Sequence, residues 1–199
     1  EVSRSLVGTV SLTPGSMISS TRLSLFHQRV DSLIQYVYDP VVFKSIPRNV
    51  EKFRSTGLDI SVDVSNRDKL GLRLALVYQN AEQTMDGSDV FERAGYVPDL
   101  KWRVDTDFEI NDRFNAGLSV IYTGERQLRM YGGSVKKIKD VYELGAMFSA
   151  DVNNHLRLVL TGEDLTDEKR PDQFGFTPGD GDYPGVGRRI ILKAVARLL

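Results

Sequence analysis

Carboxylates in "DVFERAGYVPD" (residues 89–99) and "PGDGDYPG" (residues 178–185) are the groups most able to do chemistry, either as a calcium loop or as a paired acid and base. An EF-hand loop needs further oxygen ligands ending in a Glu at its twelfth position, and Pro184 and Gly185 occupy the middle of that span instead. Asp180 and Asp182 are left with opportunistic cation binding at most. The glycines at 175, 179, 181, 185 and 187 resemble a phosphate cradle, but no alternating βα unit surrounds them. No Ser-His-Asp order with a nucleophile elbow is present. Cysteine is absent, which removes disulfides, thiolate zinc sites and thiol nucleophiles. His27 and His155 stand apart from other ligands, and a lone histidine in a strand or turn reads as packed or solvated. The expectation is a protein that is not an enzyme and has no cofactor and no metal site.

The elements that carry these residues are almost entirely strands. Apolar residues recur at period two and rarely at the helical i, i+3, i+4 spacing. About nine alternating runs are expected, near 2–13, 20–37, 50–65, 69–84, 99–111, 113–130, 138–152, 155–167 and 188–199. In each, one parity is apolar: Leu58, Ile60, Val62 and Val64; Leu70, Leu72, Leu74, Leu76 and Tyr78; Trp102, Val104, Phe108 and Ile110. The other parity carries charge, as with Lys101, Arg103, Asp105, Asp107 and Glu109. Side chains alternate between faces along a strand, so each set lies on its own side.

Connections alternate as strictly as side chains do. The links "TPGS" (13–16), "SNRDK" (65–69), "ND" (111–112) and "NN" (153–154) are tight, with turn-forming residues. The others, 37–49, 85–98, 130–137 and 167–187, are long. In an up-and-down meander this puts every tight turn on one side and every long loop on the other, the arrangement of outer-membrane barrels with short periplasmic turns and long extracellular loops. No run reaches the roughly 18 to 20 apolar residues of a membrane helix, but a membrane-crossing strand needs only about 9 to 11, alternate ones facing lipid. Leu74, Val104, Leu118 and Leu158 are accordingly expected to face lipid, with Tyr78, Trp102, Tyr122 and Tyr142 as an aromatic girdle at the long-loop side and Phe108 and Phe114 beside the tight Asn-Asp turn. The expected class is all-β, an antiparallel up-and-down transmembrane β-barrel segment. A net charge of −1 gives no reason to expect nucleic acid as a partner.

Several stretches, in order, resemble the C-terminal part of the TonB-dependent outer-membrane receptors, transporters of siderophores, vitamin B12 and related scarce nutrients. "LSLFHQRVDSLIQY" (23–36) is similar to a strand leading into an outer loop, and "RNVEKFRSTGLDISVDV" (48–64) to the family's Asn-x-x-x-aromatic segment followed by Gly-aliphatic-Asp. "LGLRLALVYQNAEQT" (70–84) is similar to the next rising strand, and "VYELGAMFSADVNNHLRLVLTGEDLTDEKR" (141–170) to the penultimate hairpin with its Asn-Leu-Thr/Phe-Asp-like ending. "YPGVGRRIILKAVARLL" (183–199) resembles the closing strand, although Leu198 and Leu199 stand where the family commonly ends in an aromatic.

The resemblance implies a plug domain followed by a barrel of about 22 strands, of which residues 1–199 would be the C-terminal portion without the plug. An odd number of antiparallel strands cannot close on itself, so the first and last strands are expected to pair with strands outside this segment, in the same or a separate chain. The implied partners are those strands, the plug, the TonB complex acting through the plug, outer-membrane lipid and a small solute, with multi-pass placement in the bacterial outer membrane. Ligand recognition would belong to the outer loops, where Phe91, Tyr96, Tyr131, Phe174, Phe176 and Tyr183 offer apolar contact and Arg93, Arg126, Arg129 and Arg170 offer cations to an anionic chelate. Arg73, Arg103, Asp105, Asp107, Glu109, Arg157, Lys193 and Arg197 are read first as cross-strand ion-pair ladders on a wet face. Two other readings stay open: a structural or passive pore-forming component of a multi-chain outer-membrane barrel assembly, and a soluble β-sandwich that buries the apolar parity between two sheets.

Overall fold

The computed structural model describes residues 2–12, 18–39, 43–66, 69–84, 88–95, 97–129, 135–168, 171–174, 182–184 and 187–196; residues 2, 18–19, 33–39, 45–51, 66, 128–129, 171–174 and 182–184 are described by backbone alone. All regular structure among them is strand: β1 (Val2–Leu12), β2 (Ile18–Asp39), β3 (Lys44–Asn66), β4 (Leu70–Gln83), β5 (Glu92–Arg93), β6 (Leu100–Asn111), β7 (Phe114–Thr123), β8 (Arg126–Arg129), β9 (Val135–Ile138), β10 (Val141–Asn153), β11 (Leu156–Glu163), β12 (Pro171–Phe174), β13 (Asp182–Pro184) and β14 (Arg189–Ala196). One antiparallel meander runs β1-β2-β3-β4-β6-β7-β10-β11-β14, with β5 attached to β4. Among the described residues β1 pairs only with β2 and β14 only with β11, so the sheet they form is open.

The nine main strands fall where alternation places them, and their register aligns the apolar parities into one face. Leu23, Ile60, Leu76, Trp102, Tyr122 and Tyr142 are successive cross-strand partners. So are Val62, Leu74, Val104, Val120 and Leu144. A slip by one residue would reverse a strand's faces, so the shared parity across every pairing fixes the register.

Asparagine side chains close two of the tight turns. Asn111 Oδ1 accepts from the backbone N–H of Arg113 at 2.9 Å and of Phe114 at 3.0 Å, and Asn153 Oδ1 accepts from that of His155 at 2.9 Å. Each side chain thus replaces a ladder bond that the turn cannot make. The turns themselves fall at 112–113 and 154–155, one residue later than expected. The link 13–16 lies outside the described residues.

Three expectations about strands and loops are corrected. Residues 37–49 are not a loop, because the β2–β3 ladder continues to Asp39 opposite Lys44. The extension passes a bulge at Ser32 (φ 63°) and turns at Phe43 (φ 51°), left-handed positions that let a long hairpin bend without abandoning its ladder. Residues 113–130 are not one strand. Gly124 is buried, its N–H donates to the Leu100 carbonyl at 2.9 Å, and a Cβ there would stand 2.9 Å from that oxygen. The chain leaves the sheet at this point, and β8 pairs with β9 instead. The loop 167–187 likewise contains the β12–β13 hairpin.

Among the described residues the apolar face has no second layer. Buried apolar side chains among the described residues are confined to Val30, Ala81, Ala94, Ile138 and Val141, while Leu6, Leu25, Leu118 and Leu192 are 75%, 63%, 55% and 71% exposed. Of the large apolar side chains left exposed, all but Val7, Met147, Ile191 and three outside the main sheet, Phe43, Val90 and Val135, belong to the apolar parity. Each such side chain left in water forfeits about 1.5–3 kcal/mol of burial. This overturns the β-sandwich reading, which requires a facing sheet.

Candidate functional site: the concave face and the outer loops

The charged parity lines a hollow of ≈ 520 Å³, to which β4, β6, β7, β10, β11 and β14 all contribute. Register explains how its charges are held. Asp63 and Arg73 are direct cross-strand partners, with Nε to Oδ1 at 3.6 Å. Asp151 and Arg157 are also partners, joined through Nε at 2.8 Å and Nη2 at 2.6 Å. Glu163 and Arg189 are paired in the same way. Arg103 departs from this pattern by taking Asp105, two residues along its own strand, through Nε at 2.6 Å and Nη2 at 2.7 Å. Of the charges read as cross-strand ladders, Arg73 and Arg157 pair in that way and Arg103 and Asp105 pair along one strand, while Arg197 lies outside the described residues.

Beyond β11, "EDLTD" folds back on the sheet. Leu165 N–H donates to the Leu144 carbonyl at 2.8 Å, and the Thr166 hydroxyl donates to Tyr142 O at 2.9 Å. Asp167, with φ 52°, accepts from the Arg188 backbone at 3.2 Å and from its Nη2 at 3.3 Å, tying the start of β14 to the end of β11.

At the long-loop end, segment 88–95 docks on the sheet. Ala94 is buried, and its N–H donates to the Ala81 carbonyl at 2.8 Å. Thr84, also buried, closes a pair of bonds with Lys52: its N–H donates to Lys52 O, and its Oγ1 accepts from Lys52 N–H, both at 2.8 Å. Arg54 places its guanidinium 4.0 Å from the Phe91 ring centroid. Lys52 Nζ reaches Asp89 Oδ1 at 2.6 Å, and that hydrogen bond, with the Lys52 charge, holds the Asp89 carboxyl below its ordinary value of 3.8.

Of the loop residues expected to meet a ligand, the structure brings Phe91, Arg93 and Arg126 to one region. Arg93 Nη2 lies 2.7 Å from Asp99 Oδ2 and donates to Glu125 O at 3.1 Å, which braces segment 88–95 against the link between β7 and β8. The Nε atoms of Arg93 and Arg126 are buried without a hydrogen-bond partner. Tyr96, Tyr131, Phe176 and Arg170 lie outside the described residues, as do the side chains of Arg129, Phe174 and Tyr183. Sequence reasoning missed Lys52, Arg54, Thr84, Asp89 and Asp99, because their pairings depend on a register that no local pattern records.

Trp102, Tyr122 and Tyr142 form one aromatic cluster on the apolar face, with centroids 5.6 Å apart for Trp102–Tyr122 and 4.8 Å for Tyr122–Tyr142. Tyr78 pairs with Leu100, one row nearer the long loops. Near the tight turns Phe114 stacks on Phe148 at 5.8 Å. Leu74 and Val104 are direct partners, Leu118 pairs with Ala146, and Leu158 pairs with Ala150 and Ala194. His27 is held by Thr56, Nδ1 to Oγ1 at 2.7 Å.

The family described as "TonB dependent receptor-like, beta-barrel" has a model that matches residues 6–165. The chain belongs to this family. No curated protein matches it. Among solved structures, the ferric-catecholate import receptor Fiu from E. coli K12 in its closed form superposes with a TM-score of 0.74 at 17% identity, over 98% of this chain and 27% of that one. FpvA of P. aeruginosa bound to a heterologous pyoverdine–iron complex gives 0.75 at 11%, over 98% and 27%. The siderophore receptor PiuA from Acinetobacter baumannii gives 0.75 at 15%, over 97% and 28%. At these identities the likeness is one of fold, and the chain spans little more than a quarter of each of these receptors.

Proposed function

We propose that this chain is the C-terminal barrel segment of an outer-membrane TonB-dependent receptor that imports a scarce nutrient such as a siderophore–metal chelate or a vitamin. The observation that carries the reading is the single-layer sheet, whose continuous apolar face none of the described residues covers and whose opposite face is a charge-lined hollow. Water on the first face would cost far more than the ion pairs of the second return, whereas acyl chains remove that cost and closure with further strands satisfies both edges. About thirteen further strands and a plug complete the assembly in this reading, and the TonB complex drives transport through the plug. The chain moves its solute without covalent chemistry and without a cofactor. Leu74, Val104, Leu118 and Leu158 face lipid, Tyr78, Trp102, Tyr122 and Tyr142 form the outer girdle, and the outer loops bearing Phe91, Arg93, Tyr96, Arg126, Arg129, Tyr131, Phe174, Phe176 and Tyr183 select the solute.

Spin labels at positions 74, 104, 118 and 158 of the full-length protein in bilayers test the placement. Accessibility to oxygen with exclusion of a water-soluble relaxant is expected, and the reverse overturns it. Solute accumulation that stops when the inner membrane is de-energised is the second expected result. Uptake indifferent to that treatment would make the protein a passive pore.

A further inference from the structure

Above the apolar band on the long-loop side, the outward parity turns basic over three adjacent strands. Arg4 of β1 is the direct partner of Arg29 of β2, and Arg29 is the direct partner of Arg54 of β3. Direct partners have Cα atoms about 4.5–5.5 Å apart, and like charges so placed destabilise a sheet unless an anion lies between them. The structure supplies only part of that counter-charge. Arg29 meets Asp31 through Nε at 3.1 Å, and Arg54 meets Glu82 through Nε with the Phe91 ring against its guanidinium, so among the described residues no hydrogen-bond acceptor meets the Nη groups of either arginine. Arg4 has no ion-pair partner among the described residues, and the Arg29 and Arg54 side chains are 54% and 47% exposed. Lys52, one outward position further along β3, is occupied by Asp89.

On the same face, one row below, lie Leu6 and the hydrogen-bonded pair His27–Thr56, and below them Leu25 and Leu58, with Leu6 and Leu25 among the most exposed apolar residues of the sheet. A row of guanidinium groups is thus continuous with a wall of apolar side chains. At the tight-turn end the last outward pairs are Asn66–Leu70, Asn111–Phe114 and Asn153–Leu156, with no opposed cations among them. The asymmetry selects one leaflet, the one on the long-loop side.

We propose that Arg4, Arg29 and Arg54 form a binding site on the outer wall of the barrel for a lipid whose headgroup carries phosphate, with its acyl chains along Leu6, Leu25 and Leu58. Planar guanidinium groups match phosphate oxygens in bidentate fashion, and a phosphate between neighbouring arginines turns their repulsion into attraction. Anionic headgroups concentrate at such basic rows beside the hydrocarbon edge. The inference rests on the membrane reading above.

The test is native mass spectrometry of the full-length receptor in mild detergent, titrated separately with a bis-phosphorylated glycolipid, the same lipid stripped of its phosphates, and inorganic phosphate. Selective retention of the phosphorylated lipid is expected. Arg4→Gln, Arg29→Gln and Arg54→Gln together should weaken it on the order of a hundredfold, and each alone about fivefold. Lys101→Gln, on the charged parity of β6, should leave it unchanged. If the triple variant does not assemble, Arg54→Gln alone carries the comparison. Equal retention of the dephosphorylated lipid, full affinity in the variants, or binding of inorganic phosphate as tight as that of the lipid overturns the proposal. Lipid-exposed spin labels combined with any of those results would sink this inference alone, whereas water-exposed labels would sink the membrane reading beneath it.

Discussion

Trp102 lies stacked on Tyr122, its direct partner across β6 and β7, with ring centroids 5.6 Å apart and planes 21° from parallel. Tyr142 closes the group edge-on to Trp102 at 6.1 Å. Such a cluster is worth about 0.5–1.5 kcal/mol per pair beyond the area it covers. At headgroup depth, the fluorescence that Trp102→Phe removes from the full-length protein should be quenched most strongly by lipids brominated near the headgroup. Equal quenching by bromines at the chain ends would place the ring at the membrane centre and contradict the girdle.

Leu118 and Ser119 are neighbours on opposite faces. Leu118 is 55% exposed on the apolar side, and Ser119 lines the hollow beside Asp105. Leu118→Arg should lower the unfolding free energy in bilayers by about 2–4 kcal/mol, the cost of a cation at mid-depth on the lipid side. Ser119→Arg should change it by less than about 1 kcal/mol, since in this reading the added cation stays in water. Matching costs at the two positions would mean that both faces meet the same medium.

Gly57 and Gly8 make opposite predictions. A Cβ on Gly57 would lie 2.4 Å from the Tyr78 carbonyl oxygen and 2.5 Å from Phe26 Cζ, whereas one on Gly8 meets nothing within 4 Å. The Tyr78 oxygen belongs to the sheet backbone and cannot turn aside. Gly57→Ala should therefore cost about 1–3 kcal/mol, and Gly8→Ala should stay within about 0.5 kcal/mol of wild type. Denaturant midpoints for the pair decide the matter.

Asp89 anchors segment 88–95 to Lys52. Its folded-state pKa is depressed, so the tether contributes fully above the ordinary value of 3.8 and is lost as pH falls through the lower folded value. Hydrogen exchange in segment 88–95 should be unaffected by the tether between neutrality and about pH 4 once intrinsic rates are corrected. Protection should fall only below that range, and Asp89→Asn should show the reduced protection throughout. A transition near neutral pH in the wild-type loop would assign the tether to another group.

Paired charges on the concave face invite a double-mutant cycle. For Arg157 and Asp151, with side chains 36% and 23% exposed, the coupling energy should be about 0.2–1 kcal/mol, the range of solvated pairs. A cycle giving several kcal/mol would point to a dry site rather than a wet hollow.

Alternation by itself determined that the chain is all-β, where the nine main strands run and which parity of each is apolar, because a period of two maps residue order directly onto the faces of a strand. It determined equally the tight turns after Asn111 and Asn153, whereas the long loop expected at 37–49 is a continued hairpin. The family resemblance was legible in ordered stretches such as 48–64 and 141–170. Only tertiary structure decided what depends on register: that Arg73 faces Asp63, that Arg54 meets both Glu82 and Phe91, and that three arginines distant in sequence share one row. It also decided where strands stop, as at Gly124, where a close backbone approach ended a run whose alternation continued. Side-chain pattern is written along a strand, whereas pairing is chosen by hydrogen bonds between segments far apart in the chain, and those bonds leave no local mark in the order of residues.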